Sequence, residues 1–140
     1  EYPEEDWRAV LDVNLYGVFL LSREVSRIMM DQREGSIINI SSSVGRHGRA
    51  RWGAYAVSKF GVEGLTQVLA EELKPYNIRV NSVNPGAMAT EMRCAAYPEE
   101  DQSKLKKPEE ILDAFLYLAS DESKDLTGGA YDAQNFAKPK

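Results

Sequence analysis

The fold is decided by residues 37–83, which read IINISSSVGRHGRARWGAYAVSKFGVEGLTQVLAEELKPYNIRVNSV. Two short runs rich in Ile and Val, residues 37–40 and 78–83, have the length and composition of buried strands. Residues 54–74 between them predict a helix, which Pro75 ends. A strand, a helix and a second strand in this order predict a βαβ unit with parallel strands and a right-handed crossover.

The flanking segments continue this alternation. Residues 3–33 predict one long helix, which Gly35 ends, and Pro108 opens a third helix after an irregular polar segment at 87–107. Residues 130–133 predict a last short strand. The apolar stripe predicted for the first helix consists of Trp7, Val10, Leu11, Leu15, Val18, Leu21, Val25, Ile28 and Met29. This order of elements indicates an α/β fold with a parallel sheet, in which chemistry takes place at the carboxyl ends of the strands.

The composition excludes several classes of protein. Among the 140 residues, 17 Lys and Arg stand against 22 Asp and Glu, and the net charge of -5 disfavours a nucleic-acid or anionic-membrane binder. No apolar run approaches the roughly 18 residues that a membrane-spanning helix needs. The single cysteine, Cys94, and the single histidine, His47, exclude an intrachain disulfide, a cysteine cluster and a two-histidine site. We therefore expect no metal ion, no nucleic-acid partner and no membrane partner. A cytoplasmic location is a separate expectation.

Tyr55 and Lys59 are the strongest candidates for chemistry. They lie four residues apart at the start of the predicted second helix, so they share one of its faces. An ammonium beside a phenol stabilises the phenolate, which would make Tyr55 a usable proton donor and acceptor. The alternative is that Tyr55 packs in the core and Lys59 is solvated, because this spacing also arises by chance.

Other polar residues lie at strand ends or inside helices. Ser42 follows the first strand and could hydrogen-bond a substrate oxygen, although serines there also turn and cap the chain. Asn14 lies on the apolar stripe. It is either a core amide bonded to neighbouring backbone or a polar side chain that holds a water or a local kink near the site. Pro85-Gly86 ends the second strand, either as an ordinary turn or as a close approach to a ligand, and Thr90 follows.

Two features of the second helix and its preceding loop also leave alternatives open. Gly61 and Gly64 interrupt the helix, each at a cost of about 1 kcal/mol relative to Ala, so either a helix or subunit approaches closely or this is a lax surface helix. Four basic side chains crowd the loop before Tyr55, namely Arg46, His47, Arg49 and Arg51. A solvated basic loop is the favoured interpretation, and contact with an anionic group on a substrate or partner is the alternative.

Longer segments carry a resemblance that the single residues do not. They are DVNLYGVF at 12–19, GSIINISS at 35–42, YAVSK at 55–59 and RVNSVNPG at 79–86, followed by Thr90. Together they resemble the classical short-chain dehydrogenase/reductase family over nearly the whole chain. The Asn–Ser–Tyr–Lys set in this order and spacing is highly specific. Within the family, the sequence is most similar to 3-oxoacyl-carrier-protein reductases and to related sugar or steroid alcohol dehydrogenases.

This resemblance implies a Rossmann-like, doubly wound parallel sheet that transfers a hydride between nicotinamide and a carbonyl or secondary alcohol substrate. NAD or NADP would be the cofactor. Tyr55 would pass the proton, Lys59 would assist Tyr55 and bind the nicotinamide ribose, and Ser42 would hold the substrate oxygen. Asn14 would hold a water that links Lys59 to solvent. The nicotinamide would be lined by Pro85, Gly86 and Thr90.

The sequence also departs from the family pattern. The glycine-rich phosphate-binding loop and the first four strands have no counterpart here. Residues 1–140 would therefore be the C-terminal catalytic part of a single domain, with its last three strands and their helices, and the N-terminal dinucleotide-binding half would be absent. The segment at 91–107 that would cover the substrate is short. Residues 130–134 differ from the family's usual Val-Asp-Gly-Gly ending, which puts the last strand in doubt.

Three kinds of function remain open. The first is an NAD(P)-dependent oxidoreductase. These 140 residues alone are not expected to catalyse its reaction. The second is a non-catalytic remnant that serves as an oligomerisation or binding module. The third is a binder of anionic partners through Arg46–Arg51. The resemblance further implies a homo-oligomer, a dimer or tetramer, built on the helices at about 5–30 and 54–74.

Overall fold

Three parallel strands form the centre of the molecule in a computed structural model that describes residues 2–139. They are β1 (Gly35–Ile40), β2 (Ile78–Asn84) and β3 (Ala130–Asp132), in the order β1-β2-β3. Ile37 lies opposite Val80, and Val83 lies opposite Tyr131. The predicted parallel sheet is confirmed, and so is the last strand, although residue 133 already belongs to a following 3-10 turn.

Within residues 2–139, five α-helices accompany the sheet: α1 (Glu4–Leu11), α2 (Gly17–Gln32), α3 (Gly53–Leu73), α4 (Glu91–Ala96) and α5 (Asp113–Ala119). A π-helical turn, Asp12–Tyr16, joins α1 to α2 where the sequence predicts one uninterrupted helix. The prediction of irregular structure throughout 87–107 is wrong because α4 forms there. Pro108 opens a 3-10 turn, Pro108–Ile111, and α5 follows it.

The predicted apolar stripe is confirmed in part along α2. Val25 and Met29 pack against the buried core. Leu21 and Ile28 are exposed, whereas Ser22 and Ser26 are buried. Leu21 lines an open groove beside β1, so this part of the stripe is exposed because nothing within residues 2–139 covers the groove.

Helices cover both faces of β2, as a parallel sheet requires. On one face, the buried core consists of Ile37, Ala70, Leu73, Ile78 and Val80, and side chains of α2 pack against it. On the other face, it consists of Val83, Ile111, Ala114, Tyr117, Leu118 and Ala133. The first helices reach α3 at Gly61, where a Cβ would lie 2.6 Å from Leu15 Cδ2. The close approach predicted for Gly61 is thus confirmed, whereas a Cβ at Gly64 would meet open space.

The outer edge of β1 has no strand beside it within residues 2–139. A groove of about 420 Å³ runs between β1 and α2 on this side, and its apolar lining includes Val18, Val25, Met29 and Ile38. An open edge of a parallel strand beside an apolar groove is a surface that other chain segments cover in stable proteins. No helix in the described part of the chain is both long and apolar enough to cross a membrane.

Candidate active site

The loop after β1 packs directly on the start of α3. Residues Ser43–Gly45 form a 3-10 turn, and the Gly45 amide donates to the Ser42 carbonyl oxygen at 2.9 Å. A Cβ on Gly45 would lie 2.9 Å from the backbone carbonyl of Lys59, so only glycine allows this approach. Half-buried Ser42, predicted to hold a substrate oxygen, is therefore held by a turn that rests on the helix of Tyr55 and Lys59.

Lys59 lies between the end of β1 and the ring of Tyr55. Its Nζ donates to the carbonyl oxygen of Ile40 at 2.9 Å and lies 5.7 Å from the centroid of the Tyr55 ring. Burial lowers the pKa of Lys59, because the charged form loses solvation. The Tyr55 ring also packs against Trp52 at a centroid distance of 5.7 Å. The structure thus brings the predicted pair together with its cation beside the phenol.

Asn14 lies in the π-helical turn and points its amide at α3. Its Nδ2 lies 3.4 Å from Ser58 Oγ, and that hydroxyl donates to the Tyr55 carbonyl oxygen at 2.7 Å. The interpretation of Asn14 as an amide bonded to neighbouring backbone is therefore wrong, since its partner is a side chain 44 residues away. Sequence analysis did not select Ser58, although a serine directly before Lys59 inside a helix was the available signal.

Pro85, Gly86 and Thr90 lie on the neighbouring loop, at the same edge of the sheet as Ser42. Gly86 has a φ of 73°, a conformation that favours glycine. A Cβ there would lie 2.5 Å from Cγ of Gln134, whose Nε2 donates to the carbonyl oxygens of Pro85 and Ala87 at 2.9 and 3.0 Å. The glycine is therefore required by the turn itself. Gln134, which the sequence analysis did not select, braces this turn.

The Thr90 side chain caps α4. Its Oγ1 accepts a hydrogen bond of 3.2 Å from the Arg93 backbone amide. A hydroxyl that accepts in this way keeps its own proton to donate. Thr90 is thus held in place at the edge of the sheet, and its hydroxyl donates to no other group within residues 2–139.

The basic loop divides into two groups. His47, Arg49 and Arg51 are exposed, as the favoured interpretation expects. That interpretation is wrong for Arg46, whose side chain is only 24% exposed and forms ion pairs with Glu63 at 3.0 Å and Asp132 at 3.2 Å. The Arg46 guanidinium is therefore paired with carboxylates of this chain rather than with solvent or an anionic ligand.

The donor set around Lys59 fits a nicotinamide ribose. An ammonium has three N–H donors, and within residues 2–139 the Ile40 carbonyl is the one acceptor that Lys59 Nζ contacts. Two donors remain for ligand hydroxyls at the edge of the sheet. No group of three or more His, Cys, Asp or Glu side chains that could hold a metal ion is found in the described residues.

A parallel sheet with helices on both faces and a polar edge at its strand ends defines a Rossmann-like α/β protein. The sequence profile of the short chain dehydrogenase family matches residues 1–101. The chain belongs to this family, which confirms the resemblance seen in its sequence.

Named relatives agree with this assignment. The chain is 46% identical over 139 residues to the uncharacterized oxidoreductase YciK of Escherichia coli (strain K12), covering 99% of this chain and 55% of that protein. It is 46% identical over 133 residues to the 3-oxoacyl-[acyl-carrier-protein] reductase FabG of Thermotoga maritima, covering 89% and 54%. A short chain dehydrogenase from Escherichia coli CFT073, solved in complex with NADPH, superposes with a TM-score of 0.91 at 44% identity, covering 96% and 56%. The chain therefore spans about half the length of these relatives.

Proposed function

We propose that the whole protein is an NAD(P)-dependent oxidoreductase that interconverts a carbonyl compound and a secondary alcohol. The proposal rests most heavily on the position of Lys59 Nζ, 2.9 Å from the Ile40 carbonyl oxygen and 5.7 Å from the Tyr55 ring centroid. A partly buried cation in this place puts positive charge close to the proposed proton donor. A purely structural helix has no need of such a pair.

Tyr55 is the proton donor in the direction of carbonyl reduction. Its hydroxyl transfers a proton to the substrate oxygen as the carbonyl becomes an alcohol, and it takes that proton back in the reverse direction. Ser42 donates a hydrogen bond to the same substrate oxygen and orients it. Asn14 holds a water that returns a proton from solvent toward Lys59, and Ser58 fixes the Asn14 amide.

The cofactor site uses residues on both loops at the edge of the sheet. Lys59 donates to the ribose hydroxyls, and Thr90 donates from its free hydroxyl proton to the carboxamide. Pro85 and Gly86 line the ring. When bound, the nicotinamide supplies or accepts the hydride, and the protein supplies geometry and proton transfer. The NADPH complex of a 44% identical dehydrogenase supports NADP, and NAD remains the alternative cofactor.

The residues that bind the pyrophosphate and the rest of the dinucleotide come from an N-terminal half of the same domain. The open edge of β1 and its apolar groove favour this arrangement, because a further parallel strand and its helices would cover them. Residues 1–140 are then the catalytic part of one domain.

The substrate is a small molecule with a ketone or a secondary hydroxyl group. Relatives support this class: one is a 3-oxoacyl-[acyl-carrier-protein] reductase, and a 42% identical protein of Mycobacterium tuberculosis is a 3-alpha-(or 20-beta)-hydroxysteroid dehydrogenase. A 3-oxoacyl thioester and a cyclic ketone are therefore the first carbonyl probes.

A second copy of the protein is the expected partner. Val57, Phe60 and Val68 are exposed on α3 at helical spacing, and Gly64 between them meets open space. Phe60→Glu would place a charge in this stripe and is expected to dissociate the oligomer in sedimentation, whereas Lys104→Glu, at an exposed position outside α3, is not. Sedimentation of the unmodified protein as a monomer would refute the oligomer.

A cytoplasmic location completes the proposal, and the exposed thiol of Cys94 suits a reducing compartment.

Titration of the whole protein with NADPH and NADH, followed by reduction of acetoacetyl-CoA and cyclohexanone, tests the function. We expect saturable binding of a nicotinamide dinucleotide and consumption of it with at least one carbonyl probe. Lys59→Ala is expected to weaken binding. A protein that binds neither dinucleotide would instead be the non-catalytic module.

A further inference from the structure

Arg46 connects three separate elements of the fold. It lies in the loop after β1, just past Ser42. Its Nε donates to Glu63 Oε1 in α3 at 3.0 Å, and its terminal nitrogens reach Asp132 Oδ1 at 3.2 Å and the Tyr131 carbonyl oxygen at 3.2 Å in β3. The guanidinium is planar and its donors form a rigid fork, so these contacts fix the relative positions of the three elements.

The contacts continue from Arg46 to the turn after β2. Asp132 Oδ1 also accepts from Asn84 Nδ2 at 2.7 Å, and Asn84 Oδ1 accepts from the Gly86 backbone amide at 3.0 Å. A continuous chain of polar contacts therefore runs from Glu63 through Arg46, Asp132 and Asn84 to Gly86. One end lies on α3, a single turn beyond Lys59, and the other is the turn proposed to line the nicotinamide.

The α3 end of this chain is firmly anchored. Glu63 is buried, and its second carboxylate oxygen accepts a hydrogen bond of 2.7 Å from Ser82 Oγ in β2. Asp132 at the other ion pair is 57% exposed, so its side chain is held mainly by Arg46 and Asn84. A buried carboxylate that loses its partner is costly, whereas an exposed one is readily removed. The contacts of Glu63 and of Asp132 can thus be tested separately.

We propose that Arg46 is a positioning residue, which sets the turn Asn84–Gly86 relative to Tyr55 and Lys59 on α3. The proposal rests on the proposed function, since the turn matters only where a nicotinamide lies against it. In this role Arg46 contacts neither substrate nor cofactor. It acts through Asp132 and Asn84, and its loss leaves the proton donor intact but misaligns the surface that receives the cofactor ring.

The test compares Arg46→Gln and Asp132→Ala in the whole protein, with Arg27→Gln as the matched control. Arg27 forms an exposed ion pair with Glu24 at 3.0 Å on α2, so the control removes the same charge without touching the network. The readouts are the Kd for NADPH, kcat and KM for the carbonyl probe, and the melting temperature. Asp132→Ala retains the Arg46–Glu63 pair and guards against a variant that fails to fold.

We expect Arg46→Gln and Asp132→Ala each to raise the Kd for NADPH about tenfold and to lower kcat, with KM for the carbonyl nearly unchanged. The Kd of the double variant should not exceed the higher Kd of the two single variants, because both substitutions break the same chain of contacts. Arg27→Gln should match the wild type. A folded Asp132→Ala protein with unchanged Kd and kcat refutes the positioning role, and so does a change confined to melting temperature. A wild-type protein that binds no dinucleotide instead refutes the proposed function, and the positioning role with it.

Discussion

The side-chain nitrogen of Lys59 donates to the backbone carbonyl oxygen of Ile40 at 2.9 Å. This contact ties the first turns of α3 to the last residue of β1, so the helix that carries Tyr55 is fixed to the strand that leads to Ser42. It also holds a cation in a partly buried place, where burial lowers the pKa of Lys59. The same residue is therefore a structural tie and the proposed partner of the proton donor.

The lowered pKa of Lys59 predicts a specific dependence of stability on pH. Between that pKa and the ordinary value of about 10.5, the unfolded chain holds more protons than the folded chain. Stability rises with pH wherever the unfolded state binds more protons, so the cost of burying this charge is fully present below the window and fades as pH rises through it. In Lys59→Met this contribution is absent.

Urea unfolding of both proteins between about pH 8 and about pH 10 measures the effect. Both proteins carry Tyr55→Phe, so that the neighbouring phenol does not contribute to the difference. The free energy of unfolding of the protein with Lys59 should then rise with pH relative to that of Lys59→Met. A difference that stays constant across this range would contradict the assignment.

Gly45 is predicted to be intolerant of alanine. A Cβ there would lie 2.9 Å from the backbone carbonyl of Lys59, and this backbone cannot yield without moving the helix that carries Tyr55 and Lys59. Overpacking typically costs about 1–3 kcal/mol, so chemical denaturation should show a loss of stability for Gly45→Ala. Gly64→Ala supplies the control, because a Cβ at that helix position meets open space and should not destabilise the protein. A Gly45→Ala protein as stable as the wild type would contradict the close approach of this turn to α3.

Arg49 is expected to be dispensable for substrate recognition. Its side chain is exposed, and its guanidinium lies 5.8 Å from the centre of the Trp52 ring, so it behaves as part of a solvated loop. Arg49→Glu should leave KM for the carbonyl probe unchanged at low ionic strength, where surface charges act most strongly. A rise in KM that fades with added salt would show instead that this loop meets an anionic substrate group.

Residues 1–140 expressed alone should neither bind a dinucleotide tightly nor remain monomeric. The outer edge of β1 offers unpaired backbone groups beside an apolar groove, which favours association between copies. The chain also lacks a glycine-rich loop at a helix N-terminus to hold a pyrophosphate. Calorimetric titration with NADH and NADPH, together with sedimentation, provides the measurement. Sub-millimolar binding by a clean monomer would show that the other half is not needed.

The sequence predicts those parts of the molecule that depend on local patterns. Strand and helix lengths around residues 37–83 are enough for the βαβ unit, and the four-residue spacing is enough to place Tyr55 and Lys59 on one face. The π-helical turn is not predictable in this way, because it lies inside a segment with continuous helical periodicity. The turn contains Asn14, whose amide contacts Ser58 on α3.

The least predictable features are polar contacts between distant residues. Arg46 pairs with Glu63 and Asp132, which lie 17 and 86 residues away, and Asn14 meets Ser58 at a separation of 44. Nothing in the composition of the basic loop distinguishes Arg46 from Arg49. The distinction arises only when the fold brings β3 beside β2 and places buried Glu63 within reach of the loop.

The most direct measurement is the turnover of Tyr55→Phe in the whole protein, with NADPH and the carbonyl probe that the wild type reduces fastest. The substitution removes one hydroxyl and keeps the ring packed against Trp52. Because a positioned acid contributes about 10²–10⁴-fold, kcat should fall by at least about 10²-fold while the Kd for NADPH stays within about twofold. Lys59→Ala, measured alongside, should impair both quantities. A Tyr55→Phe protein that keeps more than about a tenth of the wild-type rate would contradict the role of Tyr55 as proton donor.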